Sequence, residues 1–237
     1  MSSNIFITGT SKGLGSGFAD YYLGKEDKVY GLSRSSADQF GSEDNYQHIQ
    51  ADVSDFDQIK VKVKELLKDV EYLQLVILNA GILGEIKGIT DASIDEMKEV
   101  MDINLWANKV IIDTLYEMKI KVNQIVVISS GASINGNKGW SGYSISKAAV
   151  NMLVKLYAVE YPETHYTALA PGLIDTGMQD YLCDVVDHEA FPSMTRLKEA
   201  RGTDNMPTPK EAAKRIGDIL PALLMTPNGS YEDVRKL

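Results

Sequence analysis

The chain has little of the chemistry that supports disulfide scaffolds or metal centres. Its 237 residues include one cysteine, Cys183, which excludes an internal disulfide framework and a thiolate metal cluster. The three histidines are His48, His165 and His188, and no two of them stand at a metal-ligand spacing. We therefore expect no metal site and no metal-dependent catalysis.

Basic charge and long apolar runs are also scarce, and their scarcity excludes further partners. The net charge is −9, so the basic surface that a nucleic-acid-binding protein needs is missing. No apolar run approaches the ~20 residues of a membrane-spanning helix, and a strand-like segment starts at residue 4. We expect a cytoplasmic protein that binds neither nucleic acid nor a membrane.

What is present is an alternation of strand and helix patterns, which predicts one domain over residues 1–237. Strands are predicted at 4–9, 28–33, 46–52, 73–80, 123–130, 165–171 and 229–234. Helices are predicted at 14–24, 55–69, 93–119, 142–160 and 208–224. Several strands are continuously apolar, which is typical of parallel strands covered on both faces. The fold class is therefore α/β: a Rossmann-type, doubly wound, seven-stranded, mostly parallel sheet with helices on both faces.

Residues 173–207 interrupt this alternation with a long, mixed segment that we expect to cover a substrate. The segment contains Pro192, Gly202 and Pro207, and loops of such length in compact domains are usually functional. Apolar side chains that could line a substrate site are Met178, Tyr181, Leu182, Val185, Val186, Phe191 and Met194, with Trp140 from another part of the chain. The alternative is that half of them only fold the segment onto the core.

The first predicted strand runs into the glycine-rich stretch TGTSKGLG, residues 8–15. Gly9, Gly13 and Gly15 allow a tight turn and a close approach to a pyrophosphate, and the next helix offers free N–H groups. Ligands of doubly wound sheets bind beyond the carboxyl ends of the strands. The stretch therefore predicts a dinucleotide site, with a merely tight turn as the alternative.

Tyr143 and Lys147 stand four residues apart in the predicted helix 142–160, on the same face as Val150 and Val154. An isolated pair of this kind usually lies at the surface with its apolar stems against the helix. The valines instead indicate a buried face.

These motifs, in this order, resemble the short-chain dehydrogenase/reductase family. The glycine loop is followed by LNAG (78–81), Asn104 in DINLWAN, Ser130 in VVISSGAS, the YSISK segment with Tyr143 and Lys147, and PGLIDT (171–176). The resemblance covers nearly the whole chain and looks closest to the sepiapterin reductase and benzil reductase branch. One departure is Leu78, where the family often has a second asparagine.

The resemblance implies a catalytic set of Asn104, Ser130, Tyr143 and Lys147. Tyr143 would donate a proton to the substrate oxygen, which Ser130 would hold, with Ser129 and Ser133 as competitors for the role of Ser130. Lys147 would bind the nicotinamide ribose, and Asn104 would hold a water that links the lysine to solvent. An ammonium ~5 Å from the phenol would stabilise the ionised phenolate by about 3 kcal/mol, which would lower the pKa of Tyr143 from ~10 toward ~8.

The cofactor expected from the second strand is NADP(H). Ser33, Arg34 and Ser35 stand where an NAD enzyme usually places a carboxylate, and Arg34 with Lys12 suits the 2′-phosphate of NADP(H). Asp52 is either an adenine contact or the cap of the next helix. The cofactor contacts implied by the resemblance are Gly9, Ser11, Lys12, Gly13, Leu14, Gly15, Ser33, Arg34, Asp52, Val53, Asn79, Ala80, Gly81, Tyr143, Lys147, Pro171, Gly172, Ile174 and Thr176.

The expected function is NADPH-dependent reduction of a small-molecule carbonyl: a ketone, dicarbonyl or aromatic aldehyde. The alternatives are an alcohol dehydrogenase that works in the oxidising direction and a non-catalytic NADP sensor on the same fold. The helix 142–160 carries a second apolar stripe opposite Tyr143, formed by Ile145, Ala148, Ala149, Met152, Leu156 and Val159. Since the sheet covers only one face, we expect a homodimer or homotetramer through this helix, with coverage by neighbouring helices as the alternative.

Overall fold

The computed structural model describes residues 2–237 and contains one seven-stranded sheet. The strands are β1 (Asn4–Thr8), β2 (Lys28–Ser33), β3 (Tyr46–Gln50), β4 (Tyr72–Leu78), β5 (Lys121–Ile128), β6 (His165–Ala170) and β7 (Ser230–Asp233). They lie in the order β3-β2-β1-β4-β5-β6-β7, and every neighbouring pair is parallel. The doubly wound fold is confirmed, with a sheet that is wholly rather than mostly parallel.

Helices flank the sheet on both faces. They are α1 (Gly13–Leu23), α2 (Phe56–Leu66), α3 (Ile94–Met101), α4 (Ala107–Glu117), α5 (Ser141–Glu160), α6 (Gly177–Asp180), α7 (Ser193–Ala200) and α8 (Pro209–Ile219). Short 3-10 turns occupy Asp38–Phe40, Gly131–Ser133, Leu220–Met225 and Val234–Lys236. Within the described residues, no helix is both long and apolar enough to cross a bilayer.

The apolar core is split into two layers because side chains alternate along each strand. Phe6 of β1 packs with α2, α4 and α5, whereas its neighbours Ile5 and Ile7 pack with α1 and α8 on the other face. Several helices also begin at a side-chain cap. Thr208 and Glu211 form a capping box at α8, and Asp55 accepts a bond from the N–H of Gln58 at α2. These caps fix where the helices begin relative to the strand ends.

Two predicted segments differ from the structure in more than the positions of their ends. The helix predicted at 93–119 is divided into α3 and α4 by a π-turn at Asp102–Trp106. The segment 173–207, predicted as a loop, contains α6, a second π-turn at Tyr181–Val185, and α7. Helices of four and eight residues are too short for a clear 3.6-residue period, so the sequence pattern did not reveal them.

Candidate active site

A cleft with a volume of about 1010 Å³ opens at the carboxyl ends of the strands, where the strand order reverses between β1 and β4. Of the predicted cofactor contacts, all except Gly15 line it, and so do Ser130, Tyr143 and Lys147. Asn104 does not line it. The structure therefore brings together, in one cleft, motifs that are far apart in the chain.

The glycine loop joins β1 to α1 at the floor of the cleft. Gly9 and Gly13 both have positive φ, at +79° and +60°, which a residue with a side chain rarely adopts. Gly15 packs so closely against the loop that a Cβ there would overlap the carbonyl oxygen of Gly9, which is why a glycine is needed. Lys12 precedes α1 without capping it, so the N–H groups of the first turn remain available to an anion. The loop fits the pyrophosphate of a dinucleotide.

The end of β4 is fastened to the end of β1 by hydrogen bonds. Thr8 Oγ1 accepts bonds from the backbone N–H groups of Asn79 and Ala80, each at 3.0 Å, and Asn79 Nδ2 donates to the carbonyl of Thr8 at 3.1 Å. These bonds set the spacing of the two loops that follow β1 and β4, where the strand order reverses.

The end of β2 carries the cationic part of the cleft. Arg34 and Lys12 are exposed, and neither forms an ion pair within residues 2–237. The adjoining Ser33 hydroxyl donates to the carbonyl of Ser35 at 2.9 Å and lies 2.8 Å from His48 Nε2, which holds the turn in place. Two unpaired cations at one end of a cleft fit a phosphate monoester.

Asp52 does not cap the next helix, since Asp55 does. Its carboxylate instead accepts bonds from the N–H and hydroxyl of Ser54, at 3.0 and 2.8 Å. These bonds hold the pKa of Asp52 below its usual value, with the backbone bond as the main cause. Asp52 therefore lines the cleft as a fixed carboxylate, which leaves the adenine contact as its remaining predicted role.

Tyr143 and Ser130 meet in another part of the cleft. Ser130 follows β5 and accepts a bond from the N–H of Ala132 at 3.1 Å, while Tyr143 lies in the first turn of α5. Burial raises the pKa of Tyr143, and a hydrogen bond with Ser130 partly opposes that rise. The prediction that the pKa of Tyr143 lies well below 10 is therefore wrong for the protein alone.

The position of Lys147 explains this difference. Lys147 is 4% exposed, its Nζ donates to the carbonyl of Ile128 at 2.7 Å, and it lies 5.7 Å from the centre of the Tyr143 ring. Burial lowers its own pKa to about 8. Because desolvation disfavours the charged form of both groups, it outweighs their mutual attraction.

A hydrogen-bond chain ties the Ser130 loop to α5. Ser129 Oγ donates to Asn151 Oδ1 at 2.6 Å, and Asn151 Nδ2 donates to Ser133 Oγ at 2.9 Å. Ser133 Oγ in turn donates to the carbonyl of Ser130 at 2.6 Å. Ser129 and Ser133, the competitors for the role of Ser130, thus have their hydroxyl protons engaged elsewhere. Sequence analysis missed Asn151, which stands one helical turn after Lys147.

Asn104 is buried in the π-turn behind the cleft. Its side chain accepts from the N–H of Ile82 at 2.8 Å and donates to the carbonyl of Ile82 and to Ser146 Oγ, at 2.8 and 3.0 Å. Its own carbonyl accepts a bond from Asn108 Nδ2 at 2.7 Å. The side chain of Asn104 therefore supports the loop after β4, and its predicted role toward water stays a prediction.

The remaining end of the cleft is mostly apolar. Met178, Tyr181, Leu182 and Trp140 line it as predicted, and the Trp140 ring lies 5.9 Å from the ring of Tyr143. Met194 of α7 is instead buried in an apolar cluster with Leu83, Ile86 and Leu182. Val186 and Phe191 pack against this cluster, and Val185 is exposed. Lining residues that sequence analysis missed are Leu83, Glu85, Leu173, Gln179 and Leu197. Leu173, Gln179 and Leu197 lie in the segment predicted to cover a substrate but were not singled out within it. Leu83 and Glu85 follow LNAG in a segment without a periodic pattern, so no sequence signal pointed to them.

Within the described part of the chain, no group of three or more histidine, cysteine, aspartate or glutamate residues is arranged to hold a metal ion. The chemistry available in the cleft is thus that of a phenol, a hydroxyl and a buried amine beside a glycine-rich anion site.

Comparisons with known proteins agree with this arrangement. A family model described as short chain dehydrogenase matches residues 3–185. An uncharacterised oxidoreductase of Schizosaccharomyces pombe is 32% identical over 90% of this chain and 88% of its own length. A benzil reductase, (S)-benzoin forming, of Bacillus cereus is 30% identical over 91% of this chain and 93% of its own. The solved structure of ElxO with NADP bound has a TM-score of 0.80 at 26% identity, covering 99% of this chain and 97% of that one.

Proposed function

The chain belongs to the short chain dehydrogenase family, and on that premise we propose that it is an NADPH-dependent oxidoreductase that reduces a carbonyl group to an alcohol. One observation carries the proposal: Tyr143, Ser130 and Lys147 line the same cleft as the glycine loop. A protein that only senses the dinucleotide has no need for a proton donor at that place.

The proposed reaction divides its steps between the cofactor and the chain. NADPH, when bound, supplies a hydride to the carbonyl carbon. Tyr143 donates its phenolic proton to the carbonyl oxygen, which becomes the hydroxyl of the product. The hydroxyl of Ser130 holds that oxygen while negative charge develops on it. Because burial raises the pKa of Tyr143, the phenol keeps the proton that it must donate at neutral pH.

Lys147 has two roles in this proposal. Its ammonium binds the nicotinamide ribose, and it opposes the negative charge left on Tyr143 after the proton has moved. At 5.7 Å from the ring and buried, it acts through a medium of low polarity, where such an interaction is strong. Asn104 is proposed to hold a water molecule that links Lys147 to solvent, so that a proton can return to the site.

The proposed preference for NADPH over NADH rests on Arg34 and Lys12. A guanidinium pairs with two oxygens of a phosphate at once, and both cations are free within the described chain. The solved relative ElxO with NADP bound also supports this choice.

The proposed substrate is an apolar ketone, 1,2-dicarbonyl or aromatic aldehyde. Leu83, Leu173, Met178 and Leu182 would contact its apolar groups, and Trp140 offers an aromatic face beside Tyr143. The benzil reductases among the relatives support the dicarbonyl class in particular.

The test is a screen of NADPH and NADH consumption by the purified protein against benzil, other diketones, aromatic aldehydes, quinones and pterins. We expect turnover with at least one dicarbonyl or aromatic ketone, at a higher kcat/KM with NADPH than with NADH. NADPH binding without turnover of any of these carbonyls or of the corresponding alcohols would favour a sensor. Turnover of the alcohols alone would reverse the proposed direction.

We also propose that α5 joins two copies of the chain, in a homodimer or a homotetramer. On α5 the side chains of Met152, Leu156 and Val159 are 55%, 52% and 80% exposed, so no helix of the same chain covers them. Ala149, predicted to belong to this stripe, is half-buried against the core instead. A cytoplasmic location remains part of the proposal, and the buried free thiol of Cys183 is compatible with it.

A further inference from the structure

Helix α7 covers the apolar end of the cleft. Its Met194 is fully buried, and its Leu197 both packs against the cluster of Leu83, Ile86 and Leu182 and lines the cleft. If α7 moved away, the cleft would lose one of its apolar walls. What holds α7 in place therefore bears on how an apolar substrate binds.

The start of α7 is held from the catalytic helix. Trp140 Nε1 donates a hydrogen bond to Ser193 Oγ at 3.1 Å, and Trp140 stands three residues before Tyr143. This single neutral bond fixes one end of α7 next to the proposed proton donor.

The end of α7 is held by one guanidinium. Arg201, directly after α7, places Nε 3.2 Å from Asp175 Oδ1 and Nη1 3.0 Å from Asp184 Oδ2, and Nη2 bonds Asp180. Asp175 lies between Ile174 and Thr176, both of which line the cleft. The ion pairs thus connect α7 directly to the loop after β6 and to α6 with its π-turn.

The charge balance makes Arg201 the critical member of this group. Exposed ion pairs are individually weak, but here one cation faces three carboxylates. Removing it would leave three like charges close together, which repel one another. A lysine could neutralise part of that charge, yet it lacks the planar fork that reaches several carboxylates at once.

We propose that Arg201 is a positioning residue that holds α7 closed over the substrate end of the cleft and fixes the loop of Asp175 beneath it. The role in substrate binding rests on the proposed function. The closure itself does not, because it can be measured without any substrate. Since the contacts are ionic and partly exposed, high salt weakens the closure.

The kinetic test compares Arg201→Gln with Arg196→Gln, which removes the same charge from an exposed position on α7. Assays use saturating NADPH and an uncharged carbonyl substrate. We expect Arg201→Gln to raise KM about tenfold with kcat within about twofold, and Arg196→Gln to match wild type. Arg201→Lys falls between them. Adding Asp180→Asn and Asp184→Asn to Arg201→Gln restores part of the loss, and salt raises KM in wild type but not in Arg201→Gln.

A second measurement needs no substrate. Thermolysin cuts before large apolar residues in locally unfolded segments. It therefore reaches Met194 and Leu197, both buried on α7, only when α7 detaches from the cleft and unwinds. We expect Arg201→Gln to be cut there several times faster than Arg196→Gln at low salt. The proposal is wrong if the two variants have equal KM and equal cleavage rates. It is also wrong if kcat falls in Arg201→Gln as KM rises and the added Asp180→Asn and Asp184→Asn changes restore neither. If wild type reduces no carbonyl, the proposed function fails, and the cleavage rates alone decide the role of Arg201.

Discussion

At the scale of single residues, the electrostatics of the cleft depend on Lys147. Its ammonium is buried, bonds the carbonyl of Ile128, and forms no ion pair within residues 2–237. Holding a charge in this place costs free energy, and burial accordingly lowers the pKa of Lys147 from 10.5 to about 8. If Lys147 has the proposed role, its destabilising effect at neutral pH is a case of function opposing stability.

The cost predicts how stability depends on pH. Between pH 8 and about 10.5 the unfolded chain keeps the Lys147 proton and the folded chain releases it, so this residue makes the free energy of unfolding rise with pH. Below pH 8 the full penalty, about 3 kcal/mol, applies. Lys147→Met should therefore be more stable than wild type at pH 7, by up to this amount, and the gain should shrink toward pH 10.

Urea unfolding of both proteins at pH 7, 8.5 and 10 measures the difference. Comparison with the variant removes the contribution of tyrosines that titrate in both. A stability difference that does not change with pH would show that Lys147 keeps an ordinary pKa.

Arg34 is the residue on which the proposed cofactor preference depends. Arg34→Asp replaces a charge-assisted partner of the 2′-phosphate with a repelling group, so NADPH binding should weaken by about 2–4 kcal/mol. NADH lacks that phosphate and should bind about as well as before. Fluorescence titration of both cofactors checks this, with Arg215→Asp, an equal charge change at an exposed site on α8, as the control. If binding of both cofactors weakened equally, Arg34 would not be the residue that contacts the 2′-phosphate.

At the scale of elements, the proposed reaction depends on how β5 and α5 are held together. Asn151 bonds Ser129 and Ser133, and Ser133 bonds the carbonyl of Ser130, so the loop that carries Ser130 cannot shift independently of the helix that carries Tyr143. A misplacement of 1 Å between reacting groups can cost about a hundredfold in rate.

Asn151→Ala tests this fastening. We expect kcat to fall about tenfold, the NADPH dissociation constant to stay within about twofold, and stability to fall by about 1–2 kcal/mol. The control is Ser144→Ala on the same helix, whose buried hydroxyl has no partner, so its loss should leave stability unchanged or slightly higher. Steady-state kinetics and thermal unfolding of both variants measure these effects. An Asn151→Ala enzyme with wild-type kcat would mean that the loop needs no such support.

Sequence patterns predicted the strands and most helices because continuous apolar runs and 3.6-residue periods carry that information. They extended the carboxyl end of every strand except β2 by one or two residues too many. Residues such as Gly9, Asn79 and Ala80 directly follow the apolar runs, but they line the cleft instead of continuing the strand. The sequence patterns also merged α3 and α4, because a π-turn shifts the helical phase by one residue without changing composition.

Within the site, the family resemblance predicted most of the residues that line the cleft, but two properties of the site could not be predicted from the motifs. The rise in the pKa of Tyr143 follows from burial, which depends on the whole fold. The contribution of Leu197 follows from α7 folding back over the cleft, which no local pattern encodes.

At the scale of the whole molecule, an apolar stripe on α5 is left uncovered by the chain. Ile145, Met152, Leu156 and Val159 stand on the side of α5 that faces away from the sheet. Contiguous exposed apolar side chains on a helix mark an interaction surface more often than a free one. A second copy of the same helix, related by two-fold symmetry, would cover the stripe on both chains.

Leu156→Arg tests this assembly. In a dimer the new charge would be buried near its own symmetry copy, so we expect the variant to become monomeric. Val61→Arg, at an exposed apolar site on α2, should keep the mass of wild type. Light scattering on the three proteins at equal concentration measures the mass. A monomeric wild type, or a Leu156→Arg variant with unchanged mass, would contradict the proposal.

The central claim is that Tyr143 supplies the proton in an NADPH-dependent carbonyl reduction, and Tyr143→Phe tests it most directly. With a carbonyl found in the screen, we expect kcat to fall by about 10²–10⁴ while the NADPH dissociation constant stays within about twofold, because only the proton donor is lost. Tyr181→Phe, the same change at another tyrosine of the cleft, should retain most of the activity. A Tyr143→Phe enzyme that keeps more than about a tenth of the wild-type kcat would contradict the account.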